Sequence, residues 1–203
     1  MKIYPKNLNK RNIHELLVSA IIPRPIGFVS TIGEDGIFNL AAFSYFAPLC
    51  NIPAIIGIGI SRLRDGRKKD TLRNIEFSKD FVVNVVTENL AEVMNQASGE
   101  YPSNIDEFKE VGLTPSKADL VKSPLVTESP INMECKLVQI IEFGETPTGS
   151  HLVIGEVVLV HMTEELWVGD HVDLHKFKAI GRLGEDYYCR VMDIFEMKKA
   201  HVI

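Results

Sequence analysis

From Ile131 to Leu137 the chain reads Ile-Asn-Met-Glu-Cys-Lys-Leu, apolar and polar in strict alternation. A period of two belongs to an extended strand whose successive side chains face opposite ways, so one buried and one wet face are expected here. His151 to His161 is a long β-branched run, Phe81 to Val86 reads FVVNVV, and Ala54 to Ile60 is an apolar and glycine run too short for a helix. Ile26 to Ile32 and Ile37 to Phe46 flank Gly33-Glu34-Asp35-Gly36, whose Asp-Gly step signals a hairpin. Six or more strands therefore point to a mainly β architecture, a barrel with a few short helices. Those helices are expected over Thr71 to Phe77 with Asp70 as N-cap, and over Leu90 to Gln96 with Asn89 as N-cap. Residues 97–130, rich in Ser, Pro, Glu and Asp, exceed an ordinary connection and predict an excursion packed on the barrel, within one domain spanning 1–203.

With 203 residues, 45% of them hydrophobic, the chain is long enough for its own core without a metal or disulfide. Twenty-two Lys and Arg against 27 Asp and Glu leave a net charge of −5, so the broad attraction that nucleic acid requires is missing. The N-terminal stretch is polar and interrupted by Pro5, and no 18-residue apolar run occurs. No membrane partner and a cytoplasmic location are expected. Cys50, Cys135 and Cys189 are odd in number and widely spaced, which fits a reducing compartment, core packing and no redox role.

Arg62, Arg64, Arg67, Lys68 and Lys69 concentrate positive charge just before the helix expected at Thr71. A small anion could bind there, using free helix amides and the Thr71 hydroxyl; a solvated loop is the alternative. In Pro23 to Thr31 and Asn39 to Phe46, small and polar residues interrupt core-like strands. They would let a flat ligand approach the backbone, or be satisfied by neighbouring carbonyls in a plain barrel wall. His171, Asp173 and His175 alternate with apolar residues and would share one face of a strand; a spacing of about 7 Å on a flat strand suits an exposed polar edge better than a shared metal ion, and no metal ligand is assigned.

The segments PRPIGFVST (23–31), NLAAFSYF (39–46), KKDTLRNI (68–75) and FVVNVV (81–86) together resemble the flavin reductase-like FMN-binding split-barrel family, in particular its flavoredoxin-containing branch. The likeness continues in order through Asp106-Glu107-Phe108, Pro124, Cys135, Gly149-Ser150-His151, Ile154 to Val157 and Arg182-Leu183-Gly184. It implies a six-stranded antiparallel Greek-key split β-barrel, a homodimer, and FMN near the dimer interface. The family's phosphate segment falls on Lys69, Asp70 and Thr71, with Arg67 in the same basic run. Its ring-contacting strands fall on Ser30, Thr31, Asn39, Leu40, Ala41, Ser44 and Phe46, and His151 matches a position that meets the nicotinamide donor. Many relatives carry two adjacent glycines where Gly184 is followed here by Glu185, so Arg182 and Tyr187 stay unassigned. The implied activity is NADH- or NADPH-dependent reduction of flavin by hydride transfer to N5, with free flavin, a redox protein or a monooxygenase as acceptor. A flavoredoxin-like carrier with bound FMN and a non-catalytic flavin-binding module are the other readings.

Overall fold

The computed structural model describes residues 1–198. Asn9 opens helix α1 (Lys10–Ala20), its side-chain oxygen accepting the Asn12 amide at 2.9 Å. There follow β1 (Gly27–Ile32), β2 (Phe38–Phe43), β3 (Phe46–Cys50), β4 (Ile55–Ser61), α2 (Asp70–Ser78), β5 (Asp80–Val85), α3 (Ala91–Ala97) and α4 (Glu107–Val111). The short strands β6 (Pro115–Ser116) and β7 (Leu125–Val126) precede a long hairpin, β8 (Ile131–Phe143) and β9 (Ser150–Met162). Last come β10 (Trp167–Val168), β11 (His171–Val172), α5 (Leu174–Phe177), β12 (Ile180–Arg182) and β13 (Tyr188–Arg190).

Seven strands form one antiparallel sheet in the order β2-β1-β5-β8-β9-β4-β3, one more than the six expected. The expected strand from Ile37 to Phe46 is in fact two, because the chain turns out of β2 at Ser44-Tyr45 before β3 begins. β2 and β3 are the two edges of the sheet yet are neighbours in sequence. Three extended residue steps span about 10 Å, so the edges must come together at this point and the sheet curls round without closing.

The inner surface carries Val29, Phe43, Ile58, Ile60, Phe81, Val83, Cys135 and Val153, capped by Leu72 and Ile75 of α2. On the other face, Phe28 and Leu40 pack against Met94 of α3 and Phe108 of α4. Gly155 belongs to this packing by being small: a Cβ there would lie 2.4 Å from Cζ of the fully buried Phe81. Gly155→Ala should therefore lower stability by about 1–3 kcal/mol through overpacking. An unchanged urea midpoint would show that Phe81 can move aside.

Several local expectations are corrected. α2 begins at Asp70 with Lys69 as its N-cap, and α3 begins at Ala91 after a 3-10 turn over Glu88–Leu90. The second face of β8 is dry at its start, where Asn132 and Glu134 are buried, and wet from Lys136 onward. Residues 118–126 cover that part of the face, and its polar side chains supply acceptors for several amides of the segment. Glu134 accepts the Asp119 and Leu120 amides at 2.8 and 2.6 Å, Asp80 those of Lys122 and Ser123 at 3.1 and 3.2 Å, and Asn84 that of Val126 at 2.9 Å. Of the cysteines, Cys135 is in the core, where burial pushes its thiol well up, while Cys50 lies exposed on the edge strand β3 and Cys189 is half-buried. His171 to His175 do not share a strand: Asp173 caps α5, accepting the His175 and Lys176 amides at 2.9 and 3.2 Å. Among the described residues no helix is long and apolar enough to cross a membrane.

Candidate functional site

Where the sheet fails to close, a cleft of about 380 Å³ runs along the end of β2, the end of β4, the start of α2, α1, α3 and the β12–β13 segment. Ile26, Ala42, Phe43, Gly59 and Met94 give it apolar walls, and Ser44 and Ser61 add hydroxyls. Arg24, Lys69 and Arg182 bring three positive charges against Glu15 and Glu185. Gly59 has to be small: a Cβ would meet the Tyr45 Cβ at 2.8 Å at the turn between the sheet edges.

Arg24 organises the cleft. It is buried, and its backbone exchanges two hydrogen bonds of 2.9 Å with Arg182. Its guanidinium donates to the carbonyls of Val18 and Ile21 (3.0 Å to the latter) at the end of α1, to Leu183 O at 2.8 Å, and to Ser44 Oγ at 3.2 Å. A cation suits the carbonyl end of a helix. Burial lowers its pKa from the usual arginine range, a direction that records charge held in a poorly hydrated place. Arg182 lies over the Tyr188 ring at 4.4 Å, fixing both on the cleft wall. Among the described residues, neither Arg24 nor Lys69 pairs with a carboxylate. The Lys69 ammonium sits 6.0 Å over the Phe43 ring, and Lys69 is itself the N-cap of α2, which has no capping side chain. A cleft of this size, with flat apolar walls and uncompensated cations, fits a planar ring bearing an anionic group, which is the build of FMN.

Of the residues that the resemblance nominates, Ser44 and Lys69 line this cleft. Asn39 and Asp70 instead line a second cavity of about 490 Å³, between the β1–β2 turn, α2 and residues 103–107. Thr71 and Thr31 are buried around Asn39. The Thr71 hydroxyl donates to Asn39 Oδ1 at 2.7 Å, Asn39 Nδ2 donates to Glu107 at 2.7 Å, and Asn74 donates to Thr31 at 3.1 Å. Burial holds the Glu107 carboxyl above its usual range, against the Asn39 bond and the Leu40 amide. Ser30 and Leu40 face the opposite layer, where Ser30 donates to Pro124 O at 2.5 Å. Ala41 and Phe46 pack against the inner core.

The basic run is largely neutralised by its own neighbours: Arg62 with Glu142 at 2.5 Å, Arg67 with Asp65 at 2.7 Å and Lys68 with Glu76 at 2.6 Å. Arg67, mostly exposed and held by Asp65, is not brought to the cleft. Bonds from Arg67 likewise hold the Asp65 carboxyl below its usual range. His151 is buried, its Nε2 lying 3.4 Å from Arg62 and 3.6 Å from Glu142, and it does not line the cleft.

The sequence reading did not nominate Arg24, Arg182, Tyr188, Gly59 or Ser61. Arg24, set between two prolines at the head of an apolar strand, carried the only visible signal. Tyr187, left unassigned with Arg182, is exposed and outside the cleft.

Residues 19–173 match the family described as flavin reductase like domain. Nitrilotriacetate monooxygenase component B from Bacillus cereus is 32% identical, with a TM-score of 0.93 over 97% of this chain and 98% of that one. Pseudomonas fluorescens 2-nitrobenzoate 2-nitroreductase NbaA is 30% identical, with a TM-score of 0.90 over 100% of this chain and 98% of that one. Flavoredoxin of Desulfovibrio vulgaris (Miyazaki F), 24% identical with a TM-score of 0.74 over 87% of this chain and 91% of that one, shares the fold. The curled antiparallel sheet, the cationic cleft at its open seam and a match over most of the chain's length together place the protein in the flavin reductase-like family.

Proposed function

We propose that the protein is a flavin-dependent oxidoreductase that holds FMN in the Arg24–Ser44–Lys69–Arg182 cleft and takes reducing equivalents from NADH or NADPH. The observation that carries this reading is the pair of cations, Arg24 and Lys69, that have no carboxylate partner among the described residues and line a cleft with apolar walls. When bound, FMN supplies the hydride-accepting chemistry, which needs no protein acid or base for the transfer itself. The protein's share is binding and orientation. Lys69 and the first amides of α2 hold the phosphate, Ala42, Phe43 and Met94 flank the ring, and Arg182 on Tyr188 closes the far wall. A monooxygenase component as electron acceptor is favoured by the likeness to component B. The experiment is anaerobic addition of NADH and of NADPH to the FMN-loaded protein. Bleaching of the flavin absorbance is expected with at least one; persistence of the oxidised spectrum with both would remove the reductase reading and leave a carrier or binder.

A second copy of the chain completes the proposal. β3 pairs on one side only, and Leu49 and Ile52 stand exposed along and just beyond it, an apolar edge that an isologous dimer would cover. If the partner also touches FMN, ligand and assembly are linked by mass action. Sedimentation across a dilution series should then show FMN holding the dimer together at lower protein concentration than the apo form. Equal dissociation with and without FMN would separate the site from the interface.

A further inference from the structure

We infer that Arg24 fixes the Ser44 hydroxyl as a hydrogen-bond donor aimed into the cleft, where it meets an acceptor atom on the ring of bound flavin; this rests on the FMN reading above. A guanidinium has five N–H donors and no acceptor, so in the 3.2 Å contact between Arg24 Nε and Ser44 Oγ the serine oxygen can only accept. The hydroxyl proton therefore points away from Arg24. Among the hydrogen bonds of the described residues Ser44 has no other partner, and the residue lines the cleft.

Arg24 cannot swing aside to release it. The residue is 6% exposed, and three of its four other donors are spent on the carbonyls of Val18, Ile21 and Leu183, which come from two separate segments. The arginine is thus a positioning residue and the serine the contact. A flavin ring presents carbonyl oxygens and ring nitrogens as acceptors whose basicity changes on reduction. A donor held in one direction favours the redox state with the stronger acceptor, so it acts on the potential as well as on affinity.

The test uses the full chain loaded with FMN and two readouts, the dissociation constant and the midpoint potential. Ser44→Ala is expected to weaken FMN about three- to tenfold, the effect of one hydrogen bond. If the loss is confined to one redox state, the two-electron potential moves by about 15–30 mV, at 29.6 mV per tenfold change. Ser44→Thr, which keeps the hydroxyl, should restore both values. Arg24→Lys should move the potential in the same direction as Ser44→Ala, and adding it to Ser44→Ala should move the potential no further.

An alanine variant with wild-type affinity and potential overturns the inference, as does a full additional shift in the double variant. Should Arg24→Lys fail to fold, the alanine and threonine variants decide alone. Wild-type protein that binds no flavin overturns the functional reading and the inference with it; wild-type binding with an unmoved alanine variant overturns the inference only.

Discussion

Glu134→Ala should destabilise the protein by about 3–5 kcal/mol, the usual effect of removing one partner from a buried charged contact set. The Glu134 carboxylate is fully buried on β8 and accepts three hydrogen bonds, from the amides of Asp119 and Leu120 at 2.8 and 2.6 Å and from His161 Nε2 at 2.6 Å. Alanine would leave both amides without their acceptor and an apolar stub in its place, and would loosen the covering segment at its start. Burial alone would push this carboxyl up, but the His161 bond and the two amides outweigh it and hold it below the usual carboxylate range. Its stabilisation is therefore present above the ordinary carboxylate pKa and is lost as the pH falls through the depressed folded-state value. Urea unfolding at neutral pH should show the loss, and a series at falling pH should bring wild type and variant together. Glu134→Gln, which keeps an acceptor but not the charge, should fall between them. A variant as stable as wild type would mean that the covering segment is held by its apolar contacts alone.

Lys69→Glu should weaken FMN binding by about 10- to 150-fold, equivalent to roughly 1.5–3 kcal/mol for a charge-assisted contact, and leave riboflavin within about threefold of its wild-type value. The ammonium has no carboxylate partner among the described residues and stands beside the uncapped start of α2, so the cleft loses both a donor and a positive field. Fluorescence titration with the two flavins separates phosphate from ring. Equal losses for both would move Lys69 to the ring end of the cleft, and equal wild-type affinities would remove the phosphate from this place altogether.

What could be read from residues alone follows the range of the forces involved. β4, β5 and β9 are legible because a buried strand is built from the branched residues that form it. The break at Ser44-Tyr45 is not, since Phe43, Tyr45 and Phe46 continue an apolar stretch through it, and only the closing of the sheet decides that the chain must turn. The alternation in β8 is genuine, yet Asn132 and Glu134 in its polar half are dry because residues more than ten positions away in sequence from Glu134 come back to cover them, while Lys136 stays exposed. Charge shows the same limit. The basic run marks the right neighbourhood, but which cation is left for a ligand depends on where Asp65, Glu76 and Glu142 lie, and that leaves Lys69 and removes Arg67. Arg24 gains its role from carbonyls at positions 18, 21 and 183, which a local reading cannot bring together.

The open seam between β2 and β3 bears on how this protein could change over evolutionary time. The Leu40 amide points out of the sheet to Glu107, so by the alternation of an antiparallel ladder the Ala42 amide points the same way, along the cleft wall. A ligand lodged there can be gripped by peptide groups of an unpaired strand edge, and peptide groups are the same whatever side chain a mutation installs. Selection can then alter the rim without dismantling the grip on a ligand. A closed barrel, with every peptide group already bonded to a neighbour, would offer no such latitude.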